Sequence, residues 1–224
     1  MMIDHLSAHT INMYRSCPMR YKHYIDHIEE HDTMLTKYGL CGNAVHTWLD
    51  SYYRNGIVPN VSNMLVDKDC STRFVASLSG WADMRNIIPC GIETEKRIDV
   101  NYKGVTITGR LDLYHQFKDG RIYIGDHKTS KPGSSTDMLQ GQLYIWMVRR
   151  ITDVPADKIR CEFLYYTTET VVNITYLGDD YVESIIDKVM SDITSDKFPA
   201  RVGQRCSVCG YNDMCSAWKY DREV

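Results

Sequence analysis

The chain has 224 residues, of which 43% are apolar and 25% charged, with 26 basic against 29 acidic side chains for a net charge of −3. At about 150 residues per domain this allows one large domain or a domain with an appendage, and the composition excludes a disordered, collagenous or coiled-coil chain. The charge balance gives no global attraction to a polyanion, so any nucleic-acid surface has to be local.

The opening Met1–His5 has neither a basic region nor an apolar stretch, and the expectation is a cytoplasmic protein. From Ser7 to His27, Leu6, Ile11, Tyr14, Tyr21, Tyr24 and Ile25 fall at mostly helical spacings, and Pro18 breaks the run. Two short helices meeting at Cys17-Pro18 are expected. A longer helix from about Lys37 to Arg54 sets Leu40, Ala44, Val45, Trp48, Leu49, Tyr52 and Tyr53 on one broad face and ends at Asn55-Gly56. Residues 57–91 read only as helical pieces and loops. From Glu93 to Thr129 the period changes to two, with turns at Asn101-Tyr102-Lys103-Gly104 and Lys118-Asp119-Gly120, giving a three-stranded meander. The cluster Ser134-Ser135-Thr136-Asp137 caps a helix over about Asp137 to Ile151. Strands at about Arg160 to Thr167 and Thr170 to Leu177 and a helix over Asp179 to Thr194 complete the pattern. The longest apolar run, Leu143 to Val148, is far short of the about 20 residues that cross a bilayer, and no membrane partner is expected.

The chemistry concentrates in Gly109-Arg110-Leu111-Asp112 and Gly125-Asp126-His127-Lys128-Thr129-Ser130. Asp126 and Lys128, two apart on a strand, leave the same face. The hairpin register decides whether Asp112 joins them. A two-residue Asp119-Gly120 loop sets Asp112 opposite His127; a three-residue loop with Gly120 left-handed pairs Phe117 with Arg121 and sets Asp112 opposite Asp126. The second register is predicted, because it assembles two carboxylates and an ammonium on one surface. Such carboxylates suit a hard divalent cation, Mg²⁺ or Mn²⁺, which can activate water and neutralise a phosphoryl oxygen, while Lys128 stabilises transition-state charge. A solvated Asp-Lys surface pair is the plain alternative.

With His46 on the long helix, and Gln140 and Tyr144 four apart on a later one, these residues resemble the PD-(D/E)XK nuclease superfamily, in particular its RecB-like branch. The resemblance rests on His46, Gly109 to Asp112, Asp126 to Ser130, and Gln140-Gly141-Gln142-Leu143-Tyr144, in that order. It implies an α/β restriction-endonuclease-like core, a mixed sheet flanked by helices. It also implies that His46, Asp112, Asp126 and the backbone carbonyl of His127 hold the metal, with Lys128 as the catalytic lysine. Gln140 and Tyr144 then position the site or DNA. The family's glutamate ahead of Gly-x-x-Asp falls on Glu95, with Glu93 as the alternative.

Eight cysteines are too few for a disulfide scaffold, but Cys206, Cys209 and Cys215 lie within ten residues. The first two can chelate one metal centre. For a fourth ligand the residues offer His5, His9, His23, His27 and Cys17. The segment from Ser7 to Pro18 resembles the opening helix of the branch's iron-sulfur members, the CRISPR-associated Cas-four-type exonucleases and AddB-type helicase-nucleases. That resemblance implies Cys17, Cys206, Cys209 and Cys215 as ligands of a structural [4Fe-4S] cluster, with zinc as the competing metal. The cluster would join flanks 1–30 and 198–224 around a nuclease core at 37–197, the whole chain 1–224 forming one nuclease domain.

The expected function is a metal-dependent deoxyribonuclease, an exonuclease on single-stranded DNA ends. Lys131, Arg110, Arg149, Arg150, Arg201 and Arg205 are candidate DNA contacts, and the 16 tyrosines offer stacking surfaces. The alternative is a catalytically silent nuclease-fold subunit that binds DNA or a partner such as an integrase or helicase.

Overall fold

The structure is a computed structural model that describes residues 3–26, 37–133 and 135–218, and the side chains at 37, 38 and 135–137 are outside the description. The expected capping cluster at 134–137 and His27 therefore fall outside the described residues. At the N-terminus, Ser7 closes a capping box with Thr10 and starts helix α1 (Ala8–Ser16), and Pro18 opens α2 (Pro18–Asp26) where its missing N–H costs nothing. Helix α3 (Lys37–Asn55) ends at Gly56, which is left-handed at φ 65° and bonds back to the Tyr52 carbonyl. Helix α4 (Lys68–Met84) starts on the Asp67 side chain, which accepts from the Cys70 N–H at 2.7 Å. It emerges from the stretch that sequence periodicity left unassigned.

The sheet has six strands: β1 (His5–Ser7), β2 (Glu93–Tyr102), β3 (Val105–Gln116), β4 (Ile122–Lys128), β5 (Ile159–Tyr165) and β6 (Thr170–Asn173). The long β3 is its spine. One edge carries antiparallel β2 along most of its length. The other is shared by parallel β1 against residues 106–108 and antiparallel β4 against 113–116. β5 joins β4 in parallel and β6 closes the sheet antiparallel to β5. β1 is absent from the expected pattern, since three residues are too few to show a period of two. Leu6, Ala8, Ile11 and Tyr14 are buried in the main core, so the N-terminal segment fills the core as well as presenting Cys17.

β6 stops at Asn173 instead of running to Leu177 as its composition predicts. Buried Gln142 of α5 (Ser135–Thr152) takes over, donating to the Thr175 carbonyl at 2.7 Å and accepting from the Leu177 N–H at 2.8 Å. A side-chain amide thus replaces the ladder partners this segment would need as a strand. Helix α6 (Asp179–Thr194) follows with Asp179 and Asp180 in its first turn and Val182, Ile186, Val189 and Ile193 buried along one stripe. One face of the sheet packs on α1, α5 and α6, the other on α3 and α4. No described helix is long and apolar enough to cross a membrane.

Candidate active site

The expected hairpin register is the one found. The Phe117 N–H donates to the Arg121 carbonyl at 2.8 Å, Gly120 is left-handed at φ 83°, and the ladder runs from Gln116↔Ile122 to Leu113↔Gly125. At Asp112 the strand departs from regular geometry. Ile107 and Leu111 belong to the core beneath α5, whereas Leu113 belongs to the core beneath α3 and α4. Residues two apart in a regular strand share a face, so alternation breaks at Asp112. β2 breaks at the same level. The β2–β3 register sets Glu95 against Asp112, but the ladder skips Glu95, whose φ is 51°. That conformation costs a non-glycine residue about 1–2 kcal/mol.

The break changes where Asp112 points. Its Oδ2 accepts the His127 N–H at 2.7 Å, capping the strand end where the ladder to β4 stops, and its Oδ1 lies 3.4 Å from His46 Nδ1 of α3. The flat pair of Asp112 and Asp126 expected from register alone is therefore replaced by two adjacent settings. In the first, ligand atoms of His46, Glu95 and Asp112 all come within 4.8 Å of one another, the one such group among the described residues. In the second, Lys128 Nζ stands 2.5 Å from Asp126 Oδ2 and donates to Gln140 Oε1 at 2.8 Å. The Gln140 amide nitrogen donates to Asp126 Oδ1 at 3.1 Å and to the Tyr144 hydroxyl at 2.7 Å. Both N–H groups and the carbonyl oxygen of that amide are engaged, which fixes its orientation. Glu95, rather than Glu93, faces the site; Glu93 is exposed and paired with Lys96.

Electrostatics follow from burial and neighbours. Burial pushes the Asp112 carboxyl up, but the His46 imidazolium and the His127 N–H outweigh it and hold it well below the usual carboxylate range. Burial pushes Asp126 up to about 6, with Lys128 opposing and the Asp112 charge adding to the shift. Burial favours neutral His46, yet Asp112, Asp126 and Glu95 raise it to about 9. Burial holds His127 neutral, lowered to about 3, against the pull of Asp112. Its ring is hydrogen-bonded to the Tyr166 hydroxyl at 2.6 Å and lies flat on Tyr53, 6.5 Å between centroids at 11°.

The His46 group opens into a cleft of about 790 Å³, along which α3 presents His46, Asp50 and Arg54 at one-turn intervals opposite Glu95, Arg110 and Asp112. Asp50 and Arg54 were missing from the sequence reading, though continuing the His46 helix face by four and eight residues finds them. Tyr53 and Tyr166 carried no such signal. Of the basic candidates, Arg110 lines the cleft, within 3.4 Å of Glu95, and Lys131 is exposed. Arg149 and Arg150 are taken up by Asp179 and Glu183 of α6, and Arg201 and Arg205 border the cysteines.

Cys17, Cys206, Cys209 and Cys215 line a single cavity of about 70 Å³. None of the eight cysteines is in a disulfide. Four thiols around one cavity form a donor set that either an iron-sulfur cluster or zinc accepts. The segments around Tyr14 and Phe198 also meet directly. Tyr14 OH donates to the Lys197 carbonyl at 2.5 Å, and Phe198 packs on Tyr14 and Tyr21.

A family model described as the PD-(D/E)XK nuclease superfamily matches residues 5–216. Among solved structures, the protein SSO0001 superposes with a TM-score of 0.56 at 15% identity over 97% of this chain and 88% of its own. A candidate exonuclease from Eubacterium rectale superposes with a TM-score of 0.55 at 11% identity over 99% and 89%. At these identities the likeness is one of fold. No curated protein matches the chain.

Proposed function

The chain belongs to the PD-(D/E)XK nuclease superfamily, and from that premise we propose that it is a metal-dependent DNA nuclease of the RecB-like branch, acting on single-stranded ends and stapled by a [4Fe-4S] cluster. The observation that carries the catalytic reading is the Asp126–Lys128–Gln140 network standing beside the His46–Glu95–Asp112 group. An imidazole with several carboxylates fits Mg²⁺ or, better, Mn²⁺. His46, Glu95, Asp112 and Asp126, with the backbone carbonyl of His127, would hold it. When bound, such a cation neutralises charge on a phosphoryl oxygen and lowers the pKa of water.

The protein's own groups supply the rest. Asp126 and Gln140 fix the Lys128 ammonium before any substrate arrives, so its charge is preorganised for the extra negative charge of the phosphoryl transition state. Arg54 and Arg110, on opposite walls of the cleft, are placed to hold phosphates flanking the scissile one. Asp50 and Glu95 keep those guanidinium groups from collapsing elsewhere. The exonuclease reading is supported by the designation of the Eubacterium rectale neighbour. The cluster reading is supported by four cysteines around one cavity.

An end-labelled single strand in Mn²⁺ tests the polarity-independent core of this reading. Stepwise shortening from an end, abolished by EDTA, is expected; scattered internal cuts would replace exonuclease with endonuclease, and no cutting would contradict the enzyme reading.

A further inference from the structure

A second concavity lies on the far side of Tyr53 from the candidate active site. It encloses about 300 Å³ between the C-terminal half of α3, the end of α4 and the segment leading into β2. Its apolar wall is a fixed aromatic unit. Tyr52 and Tyr53 each meet the buried Trp81 ring edge to face, at 4.8 and 6.3 Å between centroids, and Trp81 Nε1 donates to the Tyr53 hydroxyl at 2.8 Å. Tyr52 in turn lies flat on Trp48 at 5.5 Å.

The rim carries Arg85 and Asn86, both exposed, and their side chains make no hydrogen bond or ion pair among the described residues. Elsewhere on the surface, Arg73, Arg97 and Arg121 each sit on a carboxylate. An unpaired guanidinium and an unpaired amide facing rigid rings are the groups that recognise an unpaired nucleobase: the rings take its π-face, the amide its edge, and the guanidinium its phosphate or ring.

The placement ties this pocket to the cleft. Tyr53 stacks on His127, whose ring lies 5.6 Å from that of His46. These two separations place the Tyr53 ring no more than about 12 Å from that of His46, within a few nucleotides of a strand at ~3.4 Å per stacked step.

We propose that the Tyr52–Tyr53–Trp81 pocket, rimmed by Arg85 and Asn86, binds one unpaired base of the substrate strand a few nucleotides from the scissile phosphate. This rests on the nuclease reading and deepens it, because a base still paired in a duplex cannot enter, so the pocket selects single strands.

Single-stranded oligonucleotides carrying one abasic site at successive positions test the pocket. Binding is read by fluorescence anisotropy in EDTA for the wild type and for an Arg85→Ala/Asn86→Ala variant, whose exposed positions spare the core. Hydrolysis of bis(p-nitrophenyl) phosphate in Mn²⁺ serves as the base-free control. In the wild type, an abasic site at one or two neighbouring positions is expected to weaken binding about tenfold, within the range of base–aromatic stacking. The variant, which keeps the rings but loses the rim contacts, should bind intact DNA less well, show a weakened positional dependence and hydrolyse the base-free diester as the wild type does. A flat abasic profile from a wild type that still cleaves DNA, or a variant whose affinity and positional dependence are undiminished, overturns the pocket. A wild type that cleaves neither substrate overturns the nuclease reading beneath it.

Discussion

At Glu95 the backbone holds a φ of 51°, and the side chain is brought among His46 and Asp112. Strain of this kind persists where the surrounding structure over-determines it and is concentrated at functional sites. Replacing Glu95 by alanine keeps the strain and removes the carboxylate, whereas glycine removes both. The Glu95→Gly protein is therefore expected to be about 1 kcal/mol more stable than Glu95→Ala in urea denaturation, with both inactive. Gln140→Ala removes the amide that accepts from the Lys128 ammonium and donates to the Tyr144 hydroxyl. A fall of about 10²-fold in the single-turnover cleavage rate is expected, with the fold intact by circular dichroism. At this scale much of the site was legible in the sequence. Asp126 and Lys128 share a face by spacing, and the Lys118-Asp119-Gly120 turn chemistry gave the right register. The turning of Asp112 toward His46 was not legible, because it depends on a backbone break shared by two strands.

Helix α4 shows what periodicity leaves hidden. Gly80 lies so close to the loop after β5 that a Cβ there would meet the Tyr166 carbonyl oxygen at 2.0 Å, backbone that cannot step aside. The close approach seats Tyr166, which holds the His127 ring, so α4 supports the site without touching it. Gly80→Ala is expected to destabilise the fold by about 3 kcal/mol, the upper range for overpacking, and to lower activity by displacing Tyr166. Chemical denaturation and cleavage assays on the same preparation check both effects. A glycine in a helix looks like a weak position in sequence; only the neighbouring backbone explains it. Gln142 is the counterpart on the other face. Gln142→Leu strips partners from the Thr175 carbonyl and Leu177 N–H, and about 2–3 kcal/mol of stability should go with them. The same amide explains why the β-rich run after Thr170 is a strand only to Asn173.

For the molecule as a whole, the net charge of −3 coexists with a cleft whose walls carry Arg54 and Arg110, because many of the acidic groups sit in ion pairs or in the His46–Glu95–Asp112 group. Segments far apart in sequence are drawn together by Tyr14 and Phe198, and four cysteines from them line one cavity. Anaerobically purified protein should be brown and carry about four iron atoms, and Cys209→Ala should lose both the colour and several degrees of thermal stability. Colourless protein with stoichiometric zinc would contradict the cluster. The claim that matters most is that Asp126 and Lys128 drive phosphodiester cleavage. Wild type, Asp126→Ala and Lys128→Ala, each shown to be folded, are compared on labelled single-stranded DNA in Mn²⁺. The account predicts cleavage by the wild type and a loss of at least about 10³-fold in both variants; variants that cleave as fast as the wild type, or a wild type that does not cleave, would contradict it.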